Sequence, residues 1–208
     1  MDAVDKFTAQ AMNLILGGAA DAFDYSKEDP RLIERYDTSD VRIGHKLFRP
    51  STLGKQMLLA RRLCEAGCGY VTVHSAGWDM HADGNNLTML EGMDAIGYSY
   101  DHAVAAFIED LQRLGLTDEI LLITSGEMGR TPKINSASGR DHWSTSGFAI
   151  MSGAGIPQGQ ILGETDGEGG RVVKNEYHSD DIATTVYKKL GIPHDLVVNS
   201  PDGRPVQL

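Results

Sequence analysis

Apolar residues recur every three or four positions in several stretches of the chain and gather into short unbroken runs in others. Phe7, Ala11, Leu14 and Ile15 predict a helix over residues 1–20, with Gly17-Gly18 as its stop. Residues 21–52 are polar and mixed, with a short helical stretch around 29–36. Leu53, Met57, Leu58, Ala60, Leu63 and Cys64 predict a second helix, closed near Gly67. Tyr70-Val71-Thr72-Val73 reads as a buried strand that runs into Gly77-Trp78-Asp79-Met80-His81. After a polar loop, Ala95, Tyr98, Ala103, Ala106, Phe107 and Leu111 mark the core side of a helix over about 92–114, ended by Gly115. Ile120-Leu121-Leu122-Ile123-Thr124 is the strongest strand signal, and it leads into Ser125-Gly126-Glu127-Met128-Gly129-Arg130-Thr131-Pro132. Gly139-Arg140-Asp141-His142-Trp143 precedes a further strand, Phe148-Ala149-Ile150-Met151. Residues 152–170 are rich in glycine and read as loop and turn. A last helix spans Asp180 to Leu190, with Ser179 or Asp180 as N-cap and Gly191 as stop, before an irregular tail.

Helices alternating with strands predict an α/β fold with a largely parallel sheet sandwiched by helices. The expected organisation is a single unit over 1–208, with a lead-in at 1–52, a motif-bearing core at 53–192 and a tail at 193–208. In such sheets functional groups collect beyond the carboxyl ends of strands. Two predicted strands end directly in polar, glycine-flanked segments carrying acids or histidine.

Composition narrows the function. The 208 residues are 41 % apolar and 23 % charged, an ordinary globular balance with enough chain to bury a core. Lys and Arg total 19 against 29 Asp and Glu, a net charge of -10. That balance argues against a general nucleic-acid or anionic-membrane binder, which needs clustered basic residues. No apolar run approaches the roughly 20 residues of a bilayer span. The start, Met-Asp-Ala-Val-Asp, lacks the basic and apolar stretches of a signal peptide. Cys64 and Cys68 are too few for a disulfide framework and read as free thiols. No dinucleotide-binding glycine motif, P-loop or Gly-x-Ser-x-Gly elbow is present.

Three clusters carry candidate chemistry. Asp79 and His81 are two apart, so in an extended segment both point to one side and converge on a divalent ion. The plain alternative is a capping Asp and a surface His. Glu127 can bind metal, accept a proton, or pair with Arg130. In Arg140-Asp141-His142-Trp143, one of Asp141 and His142 is the ligand and the other orients a neighbour. Together these give three carboxylates and two histidines, an oxygen–nitrogen set suited to zinc, manganese, magnesium or iron, with zinc or manganese foremost. His45, His102 and His194 fit the pattern less well, and His178 precedes the last helix.

The ordered motifs resemble a known family. They are Ala60-Arg61-Arg62-Leu63 with Glu65-Ala66-Gly67, then Gly77 to His81, Glu127 to Pro132 and Gly139 to Trp143. Gly163-Glu164-Thr165-Asp166, Asp181-Ile182-Ala183-Thr184-Thr185 and Gly203-Arg204-Pro205 close the series. Their order and spacing resemble the C-terminal half of "domain of unknown function 1501" proteins, from about Asp5 onward. These bacterial proteins are often described as sulfatases and are similar to the alkaline phosphatase superfamily. The resemblance implies an alkaline-phosphatase-like fold and a metal-dependent phosphate or sulfate ester hydrolase. Asp79, His81, Glu127 and His142 would hold the metal, with Asp141 in contact or just behind. Arg130 or Arg140 would grip a small anionic ester. Asp-x-His is tighter than the superfamily's usual spacing, and Glu127 stands alone where two ligands are normal. Relatives carry an upstream half with an early metal-binding Asp and the nucleophile, and many begin with an export signal. The chain therefore reads as incomplete, calling for an N-terminal half or further copies of itself. A non-catalytic metal- or ligand-binding module is the competing expectation.

Overall fold

The computed structural model describes residues 8–9, 11–12, 20–43, 49–193 and 195–207. Most of the helix predicted over 1–20, and His45 and His194, lie outside the described residues. A helical turn at Ala20–Ala22 precedes α1 (Pro30–Arg35). Asp29 caps α1 by accepting from Arg31 N at 2.8 Å, and Pro30 sits where a helix needs no N–H donor. β1 (Arg42–Ile43) and β2 (Arg49–Pro50) form a small antiparallel ladder.

α2 (Leu53–Glu65) buries Leu53, Met57, Leu58 and Ala60 of the predicted stripe, leaves Leu63 and Cys64 half-buried, and adds Arg61, which the pattern does not predict. Its end is a Schellman motif: Gly67 takes φ +94°, Gly67 N donates to Cys64 O, and Cys68 N donates to Leu63 O. α3 (Met89–Gly92) opens with a capping box between Thr88 and Glu91. A π-helical turn at Met93–Gly97 joins it to α4 (Tyr98–Leu114). α2 and α4 pack together around Tyr36, Leu53, Met57, Leu58, Ala103, Ala106, Phe107 and Leu111.

One charged network runs through this core. Asp110, fully buried, accepts from Arg61 Nε at 2.9 Å, from Tyr36 Oη at 3.2 Å and from Arg113 Nη2 at 2.7 Å. Arg61 also reaches Glu28 and Glu65, so its buried guanidinium is neutralised on three sides.

β3 (Leu121–Ser125) pairs with β6 (Ala149–Gly153), with Ile123 opposite Met151. Ile120 and Leu122 face the helical core. Between them lie β4 (Gly129–Arg130) and β5 (His142–Trp143), a two-residue ladder placing Arg130 opposite His142. Then come the hairpin β7 (Glu164–Thr165) and β8 (Val172–Lys174), helix α5 (Ser179–Lys189), and the hairpin β9 (Val197–Asn199) and β10 (Pro205–Gln207).

The fold is mixed α/β, as the pattern predicts, but its sheets differ from the expected parallel one. Among the described residues every sheet has two strands and is antiparallel. A parallel return needs a long crossover, usually helical. The connection from β3 to β6 holds no helix, so β6 comes back antiparallel. The strand predicted at Tyr70–Val73 joins no ladder among the described residues, and Val71 and Val73 are half-buried between exposed neighbours. The two C-terminal hairpins replace what the sequence reads as loop and irregular tail. No described helix is long and apolar enough to cross a membrane.

Candidate metal centre

The segment after Val73 turns at Gly77, whose φ of +101° lies in the region glycine alone enters freely. Met80 is then driven inward, only 3 % exposed, with its sulfur against Gly92. Because Met80 points in, its neighbours Asp79 and His81 both point out to one side. Arg140 N donates to Met80 O at 2.9 Å, tying this segment to the chain entering β5. Gly139 is required there: a Cβ would stand 2.1 Å from His81 O.

β5 supplies the third group. The Asp79 Oδ1 atom lies 2.8 Å from His81 Nε2 and 2.9 Å from His142 Nε2, and the two imidazole nitrogens are 3.1 Å apart. The three form a near-equilateral triangle of potential ligand atoms. His81 is mostly buried, whereas Asp79 and His142 are half-exposed, so one side of the triangle is open.

The groups behind the triangle fix its chemistry. Asp141 Oδ1 lies 3.0 Å from His81 Nδ1. A carboxylate only accepts, so Nδ1 donates to Asp141, and Nε2 is the nitrogen that faces Asp79 and His142. Asn135 Nδ2 donates to Asp141 Oδ1 at 3.3 Å and to His81 O at 3.0 Å. Arg130 Nη1 donates to Asp79 Oδ1 at 2.7 Å. The hydrogen bond from His142, joined by that from Arg130, holds the Asp79 carboxyl far below its ordinary range, at about 2. Asp141 is lowered as well, first by the hydrogen bond from His81.

The predicted residues divide accordingly. Asp79, His81 and His142 converge, with Asp141 behind His81 and Arg130 beside Asp79. Glu127 stays outside the triangle, largely exposed, with Oε1 3.9 Å from Arg130 Nη2. Of the alternatives the sequence leaves open for it, the Arg130 pair is the one formed. Arg140 turns away from the expected anion-binding role: its Nη1 donates to Thr131 O at 2.5 Å and Pro132 O at 2.6 Å. His102 bonds to Arg35 O, and His178 sits at the N-cap of α5. Asn135 escapes sequence reasoning, since it lies in a Ser/Asn/Gly loop whose composition says turn and nothing more, and Gly139 enters there only as the head of the Gly139-to-Trp143 motif.

One carboxylate, two imidazoles and a neighbouring guanidinium on a mixed α/β scaffold define a protein with a candidate divalent-metal centre. The sequence matches, over residues 1–208, the family described as protein of unknown function DUF1501, and the chain belongs to that family. No curated protein and no solved structure matches it.

Proposed function

We propose that this chain is a metal-dependent, hydrolase-like protein of the phosphate- or sulfate-ester class, related to the alkaline phosphatase superfamily. The observation that carries this reading is the triangle of Asp79 Oδ1, His81 Nε2 and His142 Nε2, with edges of 2.8–3.1 Å. Metal bonds of about 2.0–2.2 Å set adjacent ligands of a six-coordinate ion roughly 2.8–3.1 Å apart, and those of a tetrahedral one roughly 3.3–3.6 Å apart. Edges of this length are compatible with joint coordination of one divalent ion, zinc or manganese. A divalent ion supplies charge for the ester oxygen and lowers the pKa of a bound water.

The chain's own groups do the rest. Asp141 orients His81 through Nδ1, so that Nε2 is the nitrogen an ion would take. Arg130 is anchored through Nη1 on Asp79, and its Nη2, 3.9 Å from Glu127, would turn from that loose contact to an anionic oxygen. Thr131 is unsuited as a nucleophile, since its hydroxyl donates to Lys133 O and accepts from Asp141 N. Ser125, at the exposed end of β3, has no base assembled beside it among the described groups.

A second reading, that the chain works only with an N-terminal half or further copies of itself, is favoured by its exposed apolar residues. Tyr70, Phe148, Ile161 and Leu162 are exposed by 69–95 %. Such surface fits burial against another polypeptide.

The test is metal content after incubation with zinc or manganese, beside an Asp79→Ala/His142→Ala variant, followed by turnover of 4-nitrophenyl phosphate and sulfate. One ion per chain, lost in the variant, with turnover of either ester is the expected result. Metal without turnover reduces the protein to a binding module. No metal in either protein overturns the proposal.

A further inference from the structure

Strand β5 has two faces. His142 points to the triangle, so alternation along the strand turns Trp143 to the other side. There Trp143 lines an open cleft of about 1170 Å³. Compact small-molecule sites span about 300–1,000 Å³, so this one has room for an extended ligand. None of Asp79, His81 and His142 lines it, and Asp141 alone borders both places. A ligand in the cleft therefore need not touch an ion at the triangle.

The lining is polar, with one aromatic surface set into it. Residues 131–136 form one wall, and Asp166, Glu168, Gly170 and Arg171 form the other. Trp143 is fastened to the second wall. Its Nε1 donates to Gly170 O at 2.6 Å, and Thr145 Oγ1 donates to the same oxygen at 3.0 Å. Gly170 N in turn donates to Asp166 Oδ1 at 2.7 Å. Arg140 holds the carbonyls of Thr131 and Pro132 in the first wall. The indole's single polar atom is thus satisfied, and what the half-buried ring offers a ligand is carbon. Around it Lys133, Ser136 and Glu168 are exposed, and their side chains have no partner among the described residues. The charges of the lining nearly cancel, with Lys133 and Arg171 set against Asp141, Asp166 and Glu168.

This combination selects a ligand chemistry. A wholly apolar ligand would strip water from Lys133 and Glu168 and give no hydrogen bond in return. A strongly charged one would meet charges of its own sign on either wall. A sugar ring satisfies both parts of the lining. One face of C–H bonds covers the indole carbons, and its hydroxyls both donate and accept. Hydroxyls bonded to an ionised Glu168 or Lys133 make the stronger, charge-assisted kind of bond. We propose that the cleft binds a neutral oligosaccharide, with one ring stacked on Trp143 and neighbouring hydroxyls held by Glu168, Lys133 and Ser136.

The experiment titrates the isotope-labelled chain with maltotetraose, cellotetraose, xylotetraose and mannotetraose, with and without zinc. The readout is the indole N–H resonance of Trp143, assigned with Trp143→Phe, beside that of Trp78. At least one tetrasaccharide is expected to shift the Trp143 signal and not that of Trp78, with a Kd of about 1 mM or tighter. Glu168→Ala, a change at an exposed position, should weaken that saccharide at least about threefold, the loss of one hydrogen bond. The free-state resonance of Trp143 should stay where it was in that variant. Saccharide binding in a chain that retains no zinc supports the proposal equally, which separates it from the metal centre. No shift of Trp143 with any of the four, in either metal state, overturns it. So does an equal shift with cyclohexanol, which would mark a plain apolar surface.

Discussion

Asp141 Oδ1 accepts the Nδ1 proton of His81 at 3.0 Å, and this one bond decides which imidazole nitrogen faces the triangle. Removing the carboxylate frees the ring to rotate and to adopt the other tautomer. Asp141→Ala is therefore expected to weaken manganese binding by about 10–100-fold without abolishing it. Titration calorimetry reads the change, and an unaltered dissociation constant would remove Asp141 from the site.

Gly139 makes a separate contribution. A methyl group at this position would lie 2.1 Å from His81 O and 2.7 Å from Met80 O, so the two segments would have to part. Gly139→Ala should preserve the helical core, which it does not touch, yet displace His81 from His142. The expected outcome is unchanged helical circular dichroism with metal affinity reduced at least about tenfold, since ligand placement tolerates little error.

Stability is set elsewhere. Asp110 is the fully buried carboxylate that neutralises Arg61, itself 2 % exposed. Asp110→Ala leaves that guanidinium buried with one partner fewer and strips the hydrogen bond from Tyr36. A loss of about 3–5 kcal/mol is expected in urea denaturation. A loss under about 1 kcal/mol would show the network to be dispensable.

Acid should act through Glu28. Burial pushes its carboxyl up, but hydrogen bonds from Arg62 and Arg61 outweigh this and hold it below its ordinary value. A depressed folded pKa gives stability that is complete above the unfolded value, about 4.3, and is lost as pH falls through the folded one. Glu28→Gln should melt lower than the unmodified chain at pH 7, with the gap closing progressively below about pH 4. A gap that stays constant to pH 3 would detach Glu28 from the acid response.

α2 and α4 were legible because each buries one stripe. α5 buries no residue and was legible from its capping and stop residues. β3 and β6 were legible as strands, but not their direction, because apolar runs carry no sign of which neighbour they bond. The absence of helical periodicity between Ser125 and Phe148 was the available clue that β6 would return antiparallel. At the site, spacing revealed Asp79 and His81, whose two-residue interval works only because Met80 is pulled into the core. His142 was legible only as one of an adjacent pair. Its partition from Asp141 depends on a cross-strand register with Arg130 that spacing along the chain does not encode. Arg140 misled because a guanidinium near acids resembles an anion clamp, and backbone carbonyls as partners leave no trace in the sequence.

The triangle also has a topological consequence. His81 and His142 are 61 residues apart, and the chain between them contains α3, α4 and β3. An ion gripping both would act as a removable cross-link between the two ends of that span, and because the site forms only in the folded chain its binding would add to folding stability. A chelator would then loosen helices that touch no ligand, and the availability of metal would govern how long the whole segment survives proteolysis.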